Sequence, residues 1–164
     1  MKKIILKAEN LHYSYTKEHE ALKGVSLDIY EGERLAILGA NGSGKSTFFL
    51  NINGVLKPNS GNVYYMDKLI DKTSIKELRK NVGIVFQDAD NQIIASTVRA
   101  EVSFGPINLG LSKEEVEKRV LDSLNYMNIS HLIDRPPHYL SGGEKKRVSI
   151  ADIIAMDSQI IIFD

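Results

Sequence analysis

Gly39, Ala40, Asn41, Gly42, Ser43, Gly44, Lys45 and Ser46 run consecutively, with Thr47 next. Their spacing is G-x-x-x-x-G-K-[ST], a pattern suited to gripping the phosphates of a nucleoside triphosphate. A helix start leaves backbone N–H groups unpaired, and its dipole favours an anion there. Gly42 and Gly44 let the backbone turn sharply and approach phosphate oxygens with no Cβ in the way. Lys45 can then reach the outer phosphates, and the Ser46 hydroxyl can sit on Mg²⁺.

Three further places could carry chemistry. Asp164 closes the apolar run Ile160, Ile161, Ile162, Phe163, where a carboxylate can serve Mg²⁺. Gln87 closes another apolar run of strand length. Its amide can contact a metal or an attacking water, and from spacing alone it reads equally as an ordinary polar strand end. Leu140, Ser141, Gly142, Gly143 and Glu144 start a helix, with Ser141 and Glu144 in capping-box positions. Two adjacent glycines are poor for a first helical turn. They expose N–H groups at a positive helix end, making a second anion site. One phosphate loop and a second phosphate-ready helix start suggest two chains sharing nucleotide.

The elements that must position these groups follow from local pattern. Residues 35–38 (Leu, Ala, Ile, Leu) read as a buried strand entering the loop, and Phe48, Phe49 and Leu50 as the helix leaving it. Residues 4–11 read as a first strand, residues 21–30 as a half-exposed antiparallel strand, and residues 62–66 as another short one. The spacing predicts capping boxes at Ser74 with Glu77 and at Ser112 with Glu115, each opening a helix. Val116, Val120, Leu124 and Met127 form one apolar stripe after the second. Residues 82–86 read as a compact strand, the region from there to about Tyr139 as mostly helical, and residues 160–163 as a buried strand. The expected fold class is α/β, with an N-terminal antiparallel β subdomain and an inserted α-helical subdomain. The organisation expected is one domain over 1–164. Residues 1–87 carry the β subdomain and phosphate-loop core, 88–140 the helical part, and 141–164 the last helix and strand.

Composition sets outer bounds. With 164 residues and 43% hydrophobic content, the chain can bury a real core. Lys plus Arg equals Asp plus Glu at 21 each, so no basic surface suggests nucleic acid. There is no cysteine, which excludes disulfide and thiolate chemistry. Lys7, Glu9 and Asn10 interrupt the apolar start too early for a signal peptide, and no apolar run approaches ~20 residues, so nothing here reads as a membrane span.

Taken together and in this order, the phosphate loop at 39–47, Gln87, residues 140–144 and residues 160–164 resemble the nucleotide-binding domain of ATP-binding cassette proteins, a P-loop NTPase family. The resemblance covers essentially the whole chain. It implies ATP and Mg²⁺ sandwiched between the loop of one subunit and the signature (residues 140–144) of another. It assigns phosphate contacts to Gly39, Asn41, Gly42, Ser43, Gly44, Lys45, Ser46 and Thr47, and Mg²⁺ and water to Ser46, Gln87 and Asp164. Lys45, Gln87 and Asp164 would carry catalysis. Ser141, Gly142 and Gly143 would reach the γ-phosphate of the partner's ATP. Tyr15 matches the aromatic residue that stacks on adenine, with Tyr13 as competitor and a strand-end tyrosine as the plainer reading.

Residues 86–93 with Thr97, Val98 and residues 102–106 are similar to ATPases of energy-coupling factor transporters, including the cobalt-uptake type. That similarity implies an importer of a metal ion or vitamin. It also implies peripheral attachment at the cytoplasmic face of the cell membrane, a second ATPase subunit, and a membrane coupling protein docking between Asp88 and Ile93, with Asp90 and Gln92 in the docking region. Glu144 stands where Gln is the commoner family residue. Two alternatives are a soluble family member of translation or DNA repair and a nucleotide-gated regulatory subunit. The first needs a second cassette or a coiled-coil insertion, and neither appears in this span.

The resemblance also implies a glutamate, a D-loop and a switch histidine beyond Asp164. His12, His19, His131 and His138 all precede that point. The expectation is therefore a C-terminally incomplete domain that retains phosphate-binding groups without the machinery for turnover. Purified residues 1–164 should bind nucleotide and give no sustained phosphate release; robust ATP hydrolysis would contradict this.

Overall fold

The computed structural model describes residues 2–164, which divide between Arg79 and Lys80 into two compact units. In the first, β1 (Ile4–Thr16), β2 (His19–Tyr30), β3 (Ser60–Tyr65) and β4 (Lys68–Leu69) form one sheet in the order β2-β1-β3-β4, with every pair antiparallel. Helix α1 (Lys45–Ile52) belongs to this unit, and α2 (Ile75–Asn81) begins in it and ends two residues into the next. Leu6, Ala8, Leu11, Leu22, Val63, Tyr65, Phe48 and Ile52 are all buried.

An irregularity in β1 organises this sheet. Ala8 faces Leu27 and Leu11 faces Val25, so β1 spends one residue more than β2 over the same distance. The pairing with β3 slips at the same place, between Glu9 and His12. Asn10 sits there with φ 50°, an αL residue that creates a bulge. The extra residue switches the buried side from even positions (Leu6, Ala8) to odd (Leu11). Gly61 on β3 accommodates it. Its φ is +85°, and a Cβ there would lie 2.1 Å from the Asn10 carbonyl oxygen. The β3–β4 hairpin turns on Met66 and Asp67, both at positive φ, which matches the right-handed twist of its strands.

Residues 35–38 depart from expectation. They carry no ladder, and Leu35 and Leu38 are 45% and 91% exposed. An apolar run supplies the side chains of a buried strand, but strand geometry also requires a partner backbone, and none of the described strands pairs with it. The start of α2 also differs in detail. The Asp71 carboxylate accepts from the amides and hydroxyls of both Thr73 and Ser74. These bonds hold the Asp71 carboxyl well below the usual carboxylate range.

In the second unit, β5 (Val82–Val85) and β6 (Ile160–Phe163) pair in parallel, Val82 against Ile160 through Val85 against Phe163. The connection runs through α3 (Val98–Asn108), α4 (Lys113–Tyr126) and α5 (Gly142–Ala155), as a parallel pair requires. Val98, Val102, Val116, Val120, Leu124, Leu132, Val148 and Ala151 form the core of the three helices. Gly83 lets α5 lie against β5, since a Cβ would stand 2.3 Å from the Ile153 side chain. Ser112 caps α4 through the Glu115 amide, but the Glu115 carboxylate turns to Arg119 at 2.8 Å, so only half of that expected box forms. β6 was expected to be buried throughout. Ile162 is buried, while Ile161 and Phe163 are 37% and 58% exposed, because a two-stranded sheet covered by α5 hides one face.

Gly61→Ala should destabilise the protein by about 2 kcal/mol or more, since it adds a backbone clash to the αL strain. Gly32→Ala, also at positive φ but with nothing within 4 Å of a Cβ, should cost only about 1 kcal/mol. Equal denaturation midpoints for the two variants would contradict the bulge-accommodating role of Gly61.

Candidate functional site

The phosphate loop is shaped by its glycines. Gly42 and Gly44 adopt φ 78° and 92°, and Gly44 is the N-cap of α1. A Cβ on Gly44 would lie 2.6 Å from the Ala21 carbonyl oxygen, and one on Gly39 2.6 Å from Ser43 Oγ. The Ser43 amide donates to the Ala40 carbonyl, and Lys45 Nζ donates to the carbonyls of Gly39 and Ala40, each at 2.9 Å. No side chain caps α1, and its first turn holds no acid. The helix therefore presents backbone N–H groups and a positive end beside an ammonium, with no anion of its own to answer them. Asn41, Gly42, Ser43 and Ser46 are exposed, whereas Thr47 is buried.

Tyr15 reaches the same turn. Its hydroxyl lies 3.1 Å from Thr47 Oγ1, and its ring meets Tyr13 edge-on at 5.0 Å. Tyr15 is 55% exposed and Tyr13 only half-buried, so Tyr15 offers the freer aromatic face of the two.

In the second unit the parallel register brings two more predicted residues to one end. The Asp164 amide donates to the Val85 carbonyl at 3.0 Å, so Asp164 and Gln87 both emerge beyond the C-terminal ends of adjacent strands. Ligands of open α/β sheets gather at such strand ends. Gln87 is exposed and lies in a bend. The turn after it is held by the Asp88 carboxylate, which accepts from the Asp90 amide and the Asn91 side chain. Gln92 Oε1 accepts from the Phe86 amide at 3.0 Å.

Ser141 begins α5 with the expected box complete. Its hydroxyl accepts from the Glu144 amide, and Glu144 Oε2 accepts from the Ser141 amide at 2.8 Å. Donation to that carboxylate from the Ser141 amide, and then from the Ser141 hydroxyl at 2.8 Å, holds the Glu144 carboxyl below its ordinary range. Gly142 and Gly143 are exposed, and a Cβ on either would meet nothing within 4 Å. Among the described residues no packing requires glycine at these two positions.

Several contributors were not singled out from sequence. Glu101, only 5% exposed, accepts at Oε2 from the amides of Ile94 and Ala95 at 2.9 and 2.7 Å, pinning the loop after Gln92. Asp152 on α5 is pushed up to about 7, first by burial and then by the charge of Glu101. Lys145 Nζ donates to Asp90 Oδ1 at 2.5 Å. Lys146 Nζ donates to the Phe86 carbonyl and, at 3.4 Å, to the Gln87 carbonyl. The available signal was two lysines near the positive end of a helix, where the dipole disfavours them.

Among the described residues no helix is long and apolar enough to cross a membrane.

The profile of the ABC transporter family matches residues 22–164. The energy-coupling factor transporter ATP-binding protein EcfA of Methanococcus maripaludis is 51% identical over 162 residues, covering 98% of this chain and 58% of that protein. EcfA3 of Clostridium perfringens is 48% identical over 166 residues, covering 100% of this chain and 58% of that protein. The chain thus spans less than two-thirds of the length of these relatives. Among solved structures, cbiO1 of Clostridium perfringens, described as part of the ABC transporter complex cbiONQ, is similar with a TM-score of 0.86 and 47% identity, covering 99% of this chain and 66% of that one. A dimeric ATP-binding cassette in a post-hydrolysis state bound to ADP and Pi is similar with a TM-score of 0.84 and 34% identity, covering 98% of this chain and 73% of that one. The expected P-loop NTPase fold is borne out, and the chain belongs to the ABC transporter family.

Proposed function

We propose that the protein carrying this chain is the ATP-hydrolysing, energy-coupling subunit of a membrane importer for a metal ion, cobalt-like, or a vitamin. The observation that carries the reading is the first turn of α1, a helix start with no side-chain cap and Lys45 Nζ held in the loop beside it. That arrangement suits a polyphosphate. The names of the relatives support the transport role.

In this reading the backbone of Gly39, Asn41, Gly42, Ser43, Gly44 and Thr47 cradles the phosphates of ATP, and Lys45 turns from the Gly39 and Ala40 carbonyls to the outer phosphates. Tyr15 stacks on the adenine. The Ser46 hydroxyl, the Gln87 amide oxygen and the Asp164 carboxylate are hard oxygen donors, the type Mg²⁺ prefers. When bound, Mg²⁺ supplies charge neutralisation on the phosphates. Gln87 also orients the attacking water. Phosphoryl transfer to water needs such positioning and electrostatics more than covalent chemistry.

Ser141, Gly142 and Gly143 complete the site of a second ATPase subunit. The open space around both glycines supports this, because it leaves room for a phosphate to approach the backbone closely. The exposed turn from Asp88 to Ile93 is the docking place for an integral membrane coupling protein, which puts the subunit peripherally on the cytoplasmic face of the membrane.

In the full-length protein, Lys45→Ala should lower the kcat/KM of ATP hydrolysis by about 100-fold or more, the scale of losing one charge-stabilising donor. A steady-state rate equal to wild type would refute the assignment. Ser141→Arg should leave nucleotide affinity of the monomer within about twofold, since that side chain serves the partner's site, yet abolish ATP-dependent dimerisation. Dimer formation in light scattering at wild-type ATP concentrations would count against the shared site.

A further inference from the structure

We infer that Lys146 is a positioning residue that locks the Gln87 backbone to the first turns of α5, with Lys145 as a second strut, so that the signature helix and Gln87 move as one body. The inference rests on the role proposed above for Gln87.

Both lysines sit close behind Ser141, where the positive helix end repels an ammonium. Neither side chain is fully exposed, and that of Lys145 is 17% exposed. Their destinations are specific. Lys145 pairs with Asp90, one residue into the short turn Ala89–Asn91. Lys146 donates to two successive carbonyls, those of Phe86 and Gln87. Carbonyls do not neutralise an ammonium as a carboxylate would, so this contact serves geometry more than charge balance. The amide of the same Phe86 residue is taken by Gln92. Phe86 is thereby held at both its N–H and its C=O, between β5 and a helix whose N-cap is Ser141. The Gln87 carbonyl is tied to that helix as well, while the residue remains exposed.

A displacement of the start of α5 is therefore transmitted to Gln87 through one side chain, with no intervening loop to absorb it. Closing a partner's ATP against Ser141, Gly142 and Gly143 and aligning Gln87 become one event. The Lys145–Asp90 pair fixes the next part of the same turn, so the proposed docking segment follows the helix too.

The test uses the full-length protein with Lys146→Met, Lys146→Arg, Gln87→Ala and the double variant Gln87→Ala/Lys146→Met. Lys146→Met should lower kcat for ATP hydrolysis about tenfold with KM for ATP within about twofold, the pattern of lost alignment and not lost binding. Lys146→Arg should restore at least half of the rate. The double variant should be no slower than Gln87→Ala alone, because both changes remove the same alignment. Amide hydrogen exchange should accelerate across residues 86–93 in Lys146→Met and stay unchanged in α3 and α4. Unchanged exchange at 86–93 overturns the clamp whatever Gln87 does. Accelerated exchange with wild-type kcat, or losses that multiply in the double variant, overturns coupling through Gln87. Wild-type turnover in Gln87→Ala would instead refute the role assigned to Gln87, leaving the exchange data to decide the clamp. If Lys146→Met does not fold, Lys146→Gln supplies the same exchange readout across residues 86–93, and unchanged exchange there overturns the clamp.

Discussion

Every helix start must find partners for its first amides, and this chain answers that constraint in two opposite ways. At α5 the side chains of Ser141 and Glu144 do it reciprocally, satisfying the amides at both ends of the box. At α1 nothing does. Gly44 has no side chain to offer, no acid follows it, and the nearby ammonium of Lys45 adds positive charge instead of relieving it. The left-handed backbone at Gly44, and an Ala21 carbonyl oxygen 2.6 Å from where a Cβ would stand, exclude Ser, Thr or Asp there, so the fold forgoes a cap worth about 1 kcal/mol. The open start is compatible with the fold because the rest of its surroundings is firm. The β2 backbone at Ala21 closes on Gly44, and Thr47, Phe48 and Ile52 are buried beneath the loop.

The sheet of the first unit depends on a similar exchange of side chain for backbone. A single additional residue at Asn10 bends β1, and the glycine at position 61 removes the side chain that would otherwise strike it. Past the bulge β1 continues to Tyr13 and Tyr15, and the hydroxyl of Tyr15 meets Thr47 on α1. The bulge therefore helps set the face of β1 on which both Tyr13 and Tyr15 arrive.

Elements defined by local chemistry were legible in the sequence. The phosphate loop, the Ser141–Glu144 box and the strand positions of Gln87 and Asp164 needed only spacing and turn chemistry. Features defined by distant backbone were less so. Residues 35–38 have the composition of a buried strand but lie unpaired, because composition does not specify a ladder partner. The run 160–163 gave no hint that Ile161 and Phe163 would be exposed, since both faces of a strand read alike when every residue is apolar. Ser112 met its expected amide, yet Glu115 chose Arg119, a competition between neighbours one turn apart on α4. The contacts of Lys145 and Lys146 were not legible, because their acceptors are 55 to 60 residues away and two of those are main-chain carbonyls that leave no mark on a sequence.

The emptiness around Gly142 and Gly143 bears on how variation at this helix start should be interpreted. Among the described residues no neighbour constrains either position, so both lie outside what folding alone can police. A library screened only for soluble expression would let alanine and serine drift into them. A library screened for the ATP-dependent activity proposed above would hold them at glycine. The difference between those two substitution spectra, position by position along α5, would separate the residues that shape the molecule from those that answer to something outside it.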